Sequence, residues 1–411
     1  MLEDAVEKLK YSNTPYEVPP ARSRQPHPKG FEPGVDFKPD GSRIVTTPPM
    51  GTLSTEDEWK TAIDSLGIGV PDGWRVRIVE MRYDPAAWHR DKDGEGTAYT
   101  APVWRYRFAV EEQEPDTGAD VQALLEELRW DRVRKPAKSD AEGTFVISWN
   151  DWQLYSNEGD GIEGTVRRIY DSFDAVEDRI KELRKMGRKY PRLLIVATGD
   201  IVDGCYMRPN HAWDLQGDSR DQENTARRLI VAGIKQFVPL FESIQVLAVG
   251  GNHGENREGG KKNNRHDNTD VKVFEQVADI FAETEYSKVL GFSVPREALS
   301  ATIEIEGWIL AATHGHLAGK SAGGPEAKLK RWFDGQAAGK LPAGDADILL
   351  TSHYHHPRLA DWGGCFWLQA PAMDGGSEWL TESTGAHSKP GLLTFGVTPQ
   401  ERVTDIAFTN L

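Results

Sequence analysis

The chain has 411 residues, 38% of them hydrophobic and 27% charged, and its formal net charge is −15 at pH 7. This balance is typical of a water-soluble protein, and no apolar run approaches the roughly 20 residues that a membrane span needs. The negative charge excludes a global attraction to nucleic acid or anionic lipid, so a polyanion has to be bound through a local basic patch or through metal ions. The start of the chain lacks the pattern of a signal peptide, and Cys205 and Cys365 form no disulfide framework, which predicts a cytoplasmic location.

The first 140 residues are predicted to form an arm followed by a small module. Residues 1–50 are rich in proline, glycine and charge, which favours an extended arm that begins with a short helix over 1–10. Residues 51–140 combine a capped helix with alternating strands, which is typical of a small α+β accessory module. Its predicted elements are a helix from 55 to about 66, strands over 74–81 and 103–110, and a helix over 121–133.

One face of the two predicted strands of this module is basic. The arginines on it are Arg75, Arg77, Arg105 and Arg107. Such a face could follow a phosphate backbone, but it fits an ordinary solvated face above a small core better. The sequence leaves both interpretations open.

Over 141–411 the pattern changes to alternating strands and helices, which predicts a layered α/β domain. The predicted strands cover 144–148, 193–197, 244–249, 301–305, 308–313 and 348–352, and the predicted helices cover 165–186, 222–241 and 271–282. Polar residues follow five of these strands directly. Ligands of open α/β sheets bind beyond the carboxyl ends of the strands, so we expect these residues to share one site.

The central motif is the run from Ala197 to Gly204, which presents Asp200 and Asp203 after a buried strand. A carboxylate at this position is able to bridge two metal ions. Four other motifs supply partners, and all five are Asp151-Trp152-Gln153, Gly199-Asp200-Ile201-Val202-Asp203-Gly204, Gly251-Asn252-His253-Gly254-Glu255, His314-Gly315-His316 and His353-Tyr354-His355. So many buried polar groups at one sheet edge are hard to satisfy without an ion.

These five motifs, in this order and each after a predicted strand, resemble the calcineurin-like metallophosphoesterases. The resemblance covers about residues 144–408 and makes 141–411 the catalytic domain. It implies a four-layer α/β/β/α metallophosphoesterase sandwich with two divalent ions, which hydrolyses phosphate esters by attack of a metal-activated hydroxide on phosphorus.

The resemblance also implies roles for individual residues. Asp200 would bridge the ions, with Asp151, Gln153 and His355 completing the first site and Asn252, His314 and His353 the second. His353 and His355, two apart on an extended segment, are expected to point the same way. His253 would contact the phosphate and protonate the leaving oxygen. Glu255 would orient His253, although Gly254 stands where the family usually has an acid.

Gln153 stands where most relatives carry a histidine. Its neutral oxygen is a harder donor than imidazole, so we favour Mn²⁺ over Zn²⁺ or iron, with Mg²⁺ as a further choice. The alternative is that Gln153 only makes hydrogen bonds outside the coordination sphere. Four other residues near the motifs fit supporting or pocket positions better than ligand positions, and these are Asp203, His211, His316 and His356.

Two predicted insertions, 205–220 and 255–270, face the site. The second is basic, which suits a polyanionic substrate such as DNA or RNA and also fits a solvated loop. The first, together with the motif around Asp151, offers aromatic rings on which bases could stack. The candidate substrate-binding residues are Trp152, Tyr206, Arg257, Lys261 and Lys262, with Trp213 as a further ring.

Three short segments resemble phosphoesterases encoded by bacteriophages of actinobacteria: 30–35, 375–379 and 389–391. This resemblance implies a role in phage DNA metabolism, similar to that of repair exonucleases of the superfamily, in the cytoplasm of a host cell. Three functions stay open at this stage. A nuclease would cleave nucleic acid in Mn²⁺, a small-molecule or nucleotide phosphoesterase would not, and a degenerate binding protein would hold no metal.

Overall fold

The computed structural model describes residues 32–37, 43–53, 55–71, 74–89, 99–112, 117–129, 131–134, 136–208, 211–258, 261–262, 267–320, 323–376, 381–382 and 389–411. The chain divides into two compact units, Met1–Pro115 and Asp116–Leu411. The helix predicted over residues 1–10 lies outside the described residues.

The first unit contains a four-stranded antiparallel sheet and one helix. The strands are Gly34–Phe37 (β1), Arg43–Thr46 (β2), Trp74–His89 (β3) and Tyr99–Glu112 (β4), in the order β1-β2-β4-β3, and the helix is Glu56–Ser65 (α1). The two long strands β3 and β4 pair with each other, and Trp74 lies opposite Glu112 in their register. Strands β1 and β2, which lie in the predicted arm, belong to this same sheet.

Helix α1 begins with a capping box, in which the side chain of Thr55 accepts from the backbone of Glu58 and the side chain of Glu58 accepts from the backbone of Thr55. The helix packs Ile63 against Phe108 and neighbouring apolar side chains of the sheet. The expected open row of arginines is wrong for Arg105, which is only 8% exposed.

The second unit is built on two sheets. Its strands are Thr144–Trp149 (β5), Arg192–Ala197 (β6), Ser243–Ala248 (β7), Arg257–Glu258 (β8), Lys261–Lys262 (β9), Leu290–Ser293 (β10), Ser300–Ile305 (β11), Trp308–Thr313 (β12), Ile348–Thr351 (β13), Arg358–Asp361 (β14), Phe366–Gln369 (β15), Gly391–Val397 (β16) and Thr404–Asn410 (β17). One sheet has the order β10-β7-β6-β5-β16-β17 and the other has the order β11-β12-β13-β15-β14, while β8 and β9 form a separate hairpin. The central strands of both sheets are parallel.

Helices cover the outer face of each sheet. They are Thr117–Arg129 (α2), Gly161–Lys185 (α3), Ser219–Phe237 (α4), Thr269–Ala282 (α5) and Pro325–Ala338 (α6). One apolar core joins α2 to α5 to the six-stranded sheet, a second lies between the sheets, and a third joins α6 to the five-stranded sheet. The predicted four-layer α/β/β/α sandwich is confirmed. The helix α2, which the sequence analysis placed in the accessory module, packs in the second unit through Leu124 and Leu128.

The sandwich follows from the strand sequences. Strand β5 is buried along its whole length, and its alternate side chains supply both cores: Phe145 and Ile147 face the helices, whereas Val146 faces the other sheet. A strand that is covered on both faces needs apolar residues at every position, which is the pattern seen here. The carboxyl ends of the parallel strands therefore open to the loops at a single edge of each sheet.

Candidate metal centre

The polar motifs begin where strands β5, β6, β7, β12 and β13 end. The loops after β5 and β6 are joined by backbone hydrogen bonds: Asp151 N donates to the carbonyl of Gly199 at 3.1 Å, and Gln153 N donates to that of Asp200 at 2.9 Å. A Cβ atom on Gly199, which has φ +93°, would lie 2.2 Å from the backbone nitrogen of Gly251. Only glycine allows these loops to approach so closely.

Five residues of the motifs adopt left-handed backbone conformations without being glycine. Their φ angles are 47° at Asp151, 42° at Gln153, 54° at Asp200, 72° at His353 and 58° at His355. Side chains rarely tolerate this region, and such strain is concentrated at functional sites. Strands β5, β6 and β13 are thus each followed by a sharp turn that carries a polar side chain of the site.

Asp200, Asn252, His314 and His353 form one side of the centre, called the Asp200 side below. His314 Nε2 lies 2.9 Å from Asp200 Oδ2 and 3.0 Å from Asn252 Oδ1. The ligand atoms of Asp200, His314 and His353 all lie within 4.8 Å of one another. The orientation of the His314 ring is fixed from behind, because Nδ1 lies 2.9 Å from the carbonyl oxygen of Thr198.

Asp151, Gln153 and His355 form the other side, called the Gln153 side below. Gln153 Nε2 lies 3.3 Å from His355 Nε2, which is 3.6 Å from Asp151 Oδ1. His355 Nδ1 lies 3.6 Å from Asp374 Oδ1, so a carboxylate that the sequence analysis missed supports this histidine. His353 and His355 do not follow the predicted extended geometry, because both have positive φ, and they reach different sides of the centre.

The donor atoms fit divalent cations. Asp151 Oδ1 is buried and has no hydrogen-bond partner among the described residues, and Asp200 Oδ2 is buried with His314 Nε2 2.9 Å away. Burial raises the pKa of Asp151. Burial opposes protonation of His314, but the charge of Asp200 outweighs it and raises the pKa of His314 to about 9. A cation coordinated by Asp200 and His314 would take the place of a proton between them. Mixed carboxylate, amide and imidazole ligands suit Mn²⁺, Fe²⁺ or Zn²⁺.

His253 lies beside the centre and is held by Asp203. Its backbone N–H donates to Asp200 Oδ1 at 2.7 Å, and its Nδ1 lies 2.6 Å from Asp203 Oδ1. The expectation that Glu255 orients His253 needs correction, because the carboxylate on Nδ1 belongs to Asp203. Glu255 instead pairs with Arg257 at 2.7 Å and lies 3.5 Å from His316 Nε2. The inserted Gly254 moves the acid of the motif away from the histidine.

A second buried carboxylate, Asp270, holds the central loop. It accepts hydrogen bonds from the backbone N–H groups of Asp200, Ile201, Val202 and Gly251, at 2.9 to 3.2 Å. Burial raises its pKa to about 6. In the sequence Asp270 resembles an ordinary acid in the first turn of α5, so only the fold reveals that it fixes the turn at Asp200.

The predicted substrate-binding residues have different surroundings. Tyr206 is 52% exposed, as expected for a ring that could stack a base. Trp152 is wrong as a stacking residue, because it is fully buried and packs against Trp149. Arg257 donates to the carbonyl of Met207 at 2.7 Å, so its guanidinium also holds the first insertion. Lys261 and Lys262 form strand β9, paired with β8.

Among the described residues, the helices are too short or too polar to span a membrane.

The sandwich and the turns at its edge define a phosphoesterase domain that uses divalent metal ions. A profile of the calcineurin-like phosphoesterases matches residues 146–357, which is 212 of the 411 residues. The chain belongs to this family and is a metal-dependent phosphoesterase.

Solved structures of this kind resemble the chain distantly. An archaeal phosphodiesterase is 12% identical with a TM-score of 0.30, over 65% of this chain and 99% of its own. The vacuolar protein sorting 29 protein of Cryptosporidium parvum is 12% identical with a TM-score of 0.29, over 66% of this chain and 99% of its own. A predicted phosphoesterase of Streptococcus pneumoniae is 14% identical with a TM-score of 0.26, over 66% and 99%. No curated protein sequence matches the chain.

Proposed function

We propose that this phosphoesterase is a nuclease that hydrolyses phosphodiester bonds of DNA or RNA with two divalent cations, Mn²⁺ before other metals. The observation that carries the proposal is that five strand ends bring together seven side chains with oxygen or nitrogen donor atoms, which would serve as metal ligands. The ligands are Asp151, Gln153, Asp200, Asn252, His314, His353 and His355. Asp200 would lie between the two cations, which, when bound, would supply positive charge to the phosphate and lower the pKa of water.

The side chains of this protein would handle the proton of the leaving group. His253 Nδ1 donates to Asp203, so Nε2 is the ring nitrogen that is left to serve the substrate. Burial opposes protonation of His253, but the charge of Asp200 and the bond to Asp203 raise its pKa to about 10. A protonated imidazole next to the cations would give its Nε2 proton to the leaving oxygen as the P–O bond breaks.

Two features support a nucleic-acid substrate. Tyr206 and Trp213 of the first insertion are 52% and 53% exposed, and exposed rings are able to stack unpaired bases. The hairpin of β8 and β9 follows the motif of Asn252 and His253 directly and contains Lys261 and Lys262. Basic side chains on such a hairpin would follow the phosphate backbone beyond the scissile bond.

Hydrolysis of nucleotides or other small phosphate esters is a second candidate function, and a specific contact favours it. Arg257, the arginine closest to the central motif in the basic insertion, pairs with Glu255 and donates to Met207 and Asn252. Its charge is thus partly used within the protein. The net charge of −15 also opposes a long polyanion at low salt.

The test is a substrate panel in Mn²⁺, Mg²⁺ and Zn²⁺. Single-stranded and double-stranded DNA and RNA, mononucleotides and a chromogenic diester would be incubated with the protein and with Asp200→Asn. We expect Mn²⁺-dependent cleavage of nucleic acid that Asp200→Asn abolishes. Turnover of mononucleotides or small esters without cleavage of nucleic acid would favour the second candidate, and no hydrolysis in any metal would overturn both.

A further inference from the structure

His211 is a buried histidine whose ring makes no close hydrogen bond with the residues that the structure describes. It begins the short turn His211–Asp214 within the first insertion and is 7% exposed. Neither Nδ1 nor Nε2 has a hydrogen-bond partner among the described residues. A buried polar group without a close partner destabilises the folded protein. A role in the site would explain why this position holds a histidine rather than an apolar residue.

The group nearest to the His211 ring nitrogens is the carboxylate that holds His253. His211 Nε2 lies 3.5 Å from Asp203 Oδ2, whereas His253 Nδ1 lies 2.6 Å from Asp203 Oδ1. The two rings are edge to face, with centroids 6.3 Å apart. Asp203 is thus placed between two histidines, and each of its oxygens faces one of them.

The insertion that contains His211 is attached to the site at both ends. Gly204 N donates to Gln222 at 2.8 Å, and Gln216 N donates to the carbonyl of Tyr155 at 3.0 Å. Met207 accepts from Arg257, which follows the motif of His253. These contacts tie the insertion to the loop of His253, and His211 approaches the other oxygen of Asp203 from the one that His253 contacts.

We propose that His211 is a positioning residue for proton transfer, which holds Asp203 so that Asp203 orients His253 toward the leaving oxygen. This inference rests on the proposed function. In the step itself, the oxygen of a water forms a new bond to phosphorus, the P–O bond to the leaving group breaks, and the leaving oxygen takes the Nε2 proton of His253. The proton that the attacking water gives up restores the charge of the ring, so one water is consumed for each bond cleaved.

The same three side chains raise a competing possibility. The ligand atoms of Asp203, His211 and His253 lie within 4.8 Å of one another, which is close enough for a cation. A cation there would occupy His253 and prevent it from serving as the acid. The hydrogen bond between His253 and Asp203 favours the positioning role, and a metal count separates the two.

The test uses the dependence of the rate on the leaving group. The p-nitrophenolate of a p-nitrophenyl diester leaves without a proton, whereas the alkoxide of a nucleotide needs one. Loss of positioning should therefore slow only the hydrolysis of the nucleotide substrate. In the full-length protein with Mn²⁺, we expect His211→Phe to lower kcat for a dinucleotide about tenfold or more, within the range that acid catalysis supplies. Turnover of the p-nitrophenyl diester should change by less than about twofold, and KM should be unchanged for both.

His211→Gln keeps a donor near the position of Nε2 and should recover most of the dinucleotide rate. Asp214→Asn, in the same turn, is the matched control and should behave like the unaltered protein.

An equal loss of activity on both substrates in His211→Phe, or no loss on either, would overturn the inference. So would a third bound ion that disappears in His211→Phe. Absence of all diester hydrolysis by the unaltered protein would instead refute the proposed function. If His211→Phe fails to fold, a dinucleotide-selective loss in His211→Ala, recovered in His211→Gln, supports the inference, and an equal loss overturns it.

Discussion

The Asp200 side and the Gln153 side of the centre are held with different tightness. On the Asp200 side, His314 Nε2 makes contacts of 2.9 and 3.0 Å, and Asp200 and His314 are at most 1% exposed. On the Gln153 side, the contacts of His355 run from 3.3 to 3.6 Å, and its side chain is 13% exposed.

The difference indicates that contacts within the protein fix the Asp200 side, whereas the geometry of the Gln153 side depends more on its cation. His314 Nε2 lies within hydrogen-bond distance of both Asp200 and Asn252, so contacts within the protein set the geometry on that side. Asp151 has only neutral or more distant partners, and the neutral oxygen of Gln153 adds no charge. We therefore expect the Asp200 side to bind its cation first and the Gln153 side to bind more weakly.

The largest effect is expected from a change at Asp200, the residue that the two sides share. Asp200→Asn keeps the size of the side chain but halves its ligand oxygens and removes its charge. We expect activity to fall about a thousandfold or more, because metal-based charge stabilisation contributes several kcal/mol and about 1.4 kcal/mol is a factor of ten. Bound metal, measured by mass spectrometry, should fall below two per chain. Asp334→Asn on the exposed face of α6 is the control, and an active Asp200→Asn protein would contradict the assignment.

A smaller effect, confined to metal binding on the Gln153 side, is expected from a change at Asp374. Its carboxylate lies 3.6 Å from His355 Nδ1, and its backbone N–H donates to the carbonyl of Asp151 at 3.2 Å. Partners of metal-binding histidines typically contribute about ten- to a hundredfold in affinity or activity. In calorimetric titrations with Mn²⁺, Asp374→Asn should weaken only the weaker of two binding steps. Equal weakening of both steps would mean that the two sides are not independent.

Gln153→His should strengthen metal binding on the Gln153 side. An imidazole is a better ligand for Zn²⁺ than an amide oxygen, so the affinity of the weaker step for Zn²⁺ should rise by about tenfold. Gln153→Leu, which has no donor atom, should lower it. Unchanged Zn²⁺ affinity in both variants would show that Gln153 is not a ligand.

The smallest expected effect lies outside both sides. Tyr206→Ala removes an exposed ring of the first insertion, and base stacking contributes about 1–3 kcal/mol per base. For a single-stranded substrate, KM should rise roughly fivefold or more, while kcat and both metal affinities stay unchanged. Tyr170→Ala on α3, which removes a ring that is 47% exposed, is the matched control. If Tyr206→Ala leaves KM unchanged, this ring does not bind substrate.

The order of motifs along the chain was enough to predict the sandwich and which strand ends meet. A buried strand that ends in a polar turn is visible in sequence, because the strand is apolar on both faces. The tight loop approach at Gly199 was also within reach, since glycine in such a turn indicates a special backbone conformation.

Asp203 was expected in a supporting position, but its bond to His253 and the roles of Asp270 and Asp374 were not predicted, because they depend on contacts between distant segments. Asp203, Asp270 and Asp374 resemble ordinary loop acids until folding places each beside its partner. Trp152 was misassigned for a related reason: its neighbours Asp151 and Gln153 turn toward the centre, so the side chain between them turns into the core. Sequence shows where a turn occurs but not which side each residue takes.

The most direct test of the binuclear centre is a crystal of the protein grown with Mn²⁺ and measured at a wavelength that reveals manganese by anomalous scattering. The account predicts two peaks about 3.5–4 Å apart with the carboxylate of Asp200 between them. The peak on the Asp200 side should be the stronger at low Mn²⁺ concentration. A single peak, or two peaks that Asp200 does not join, would contradict it.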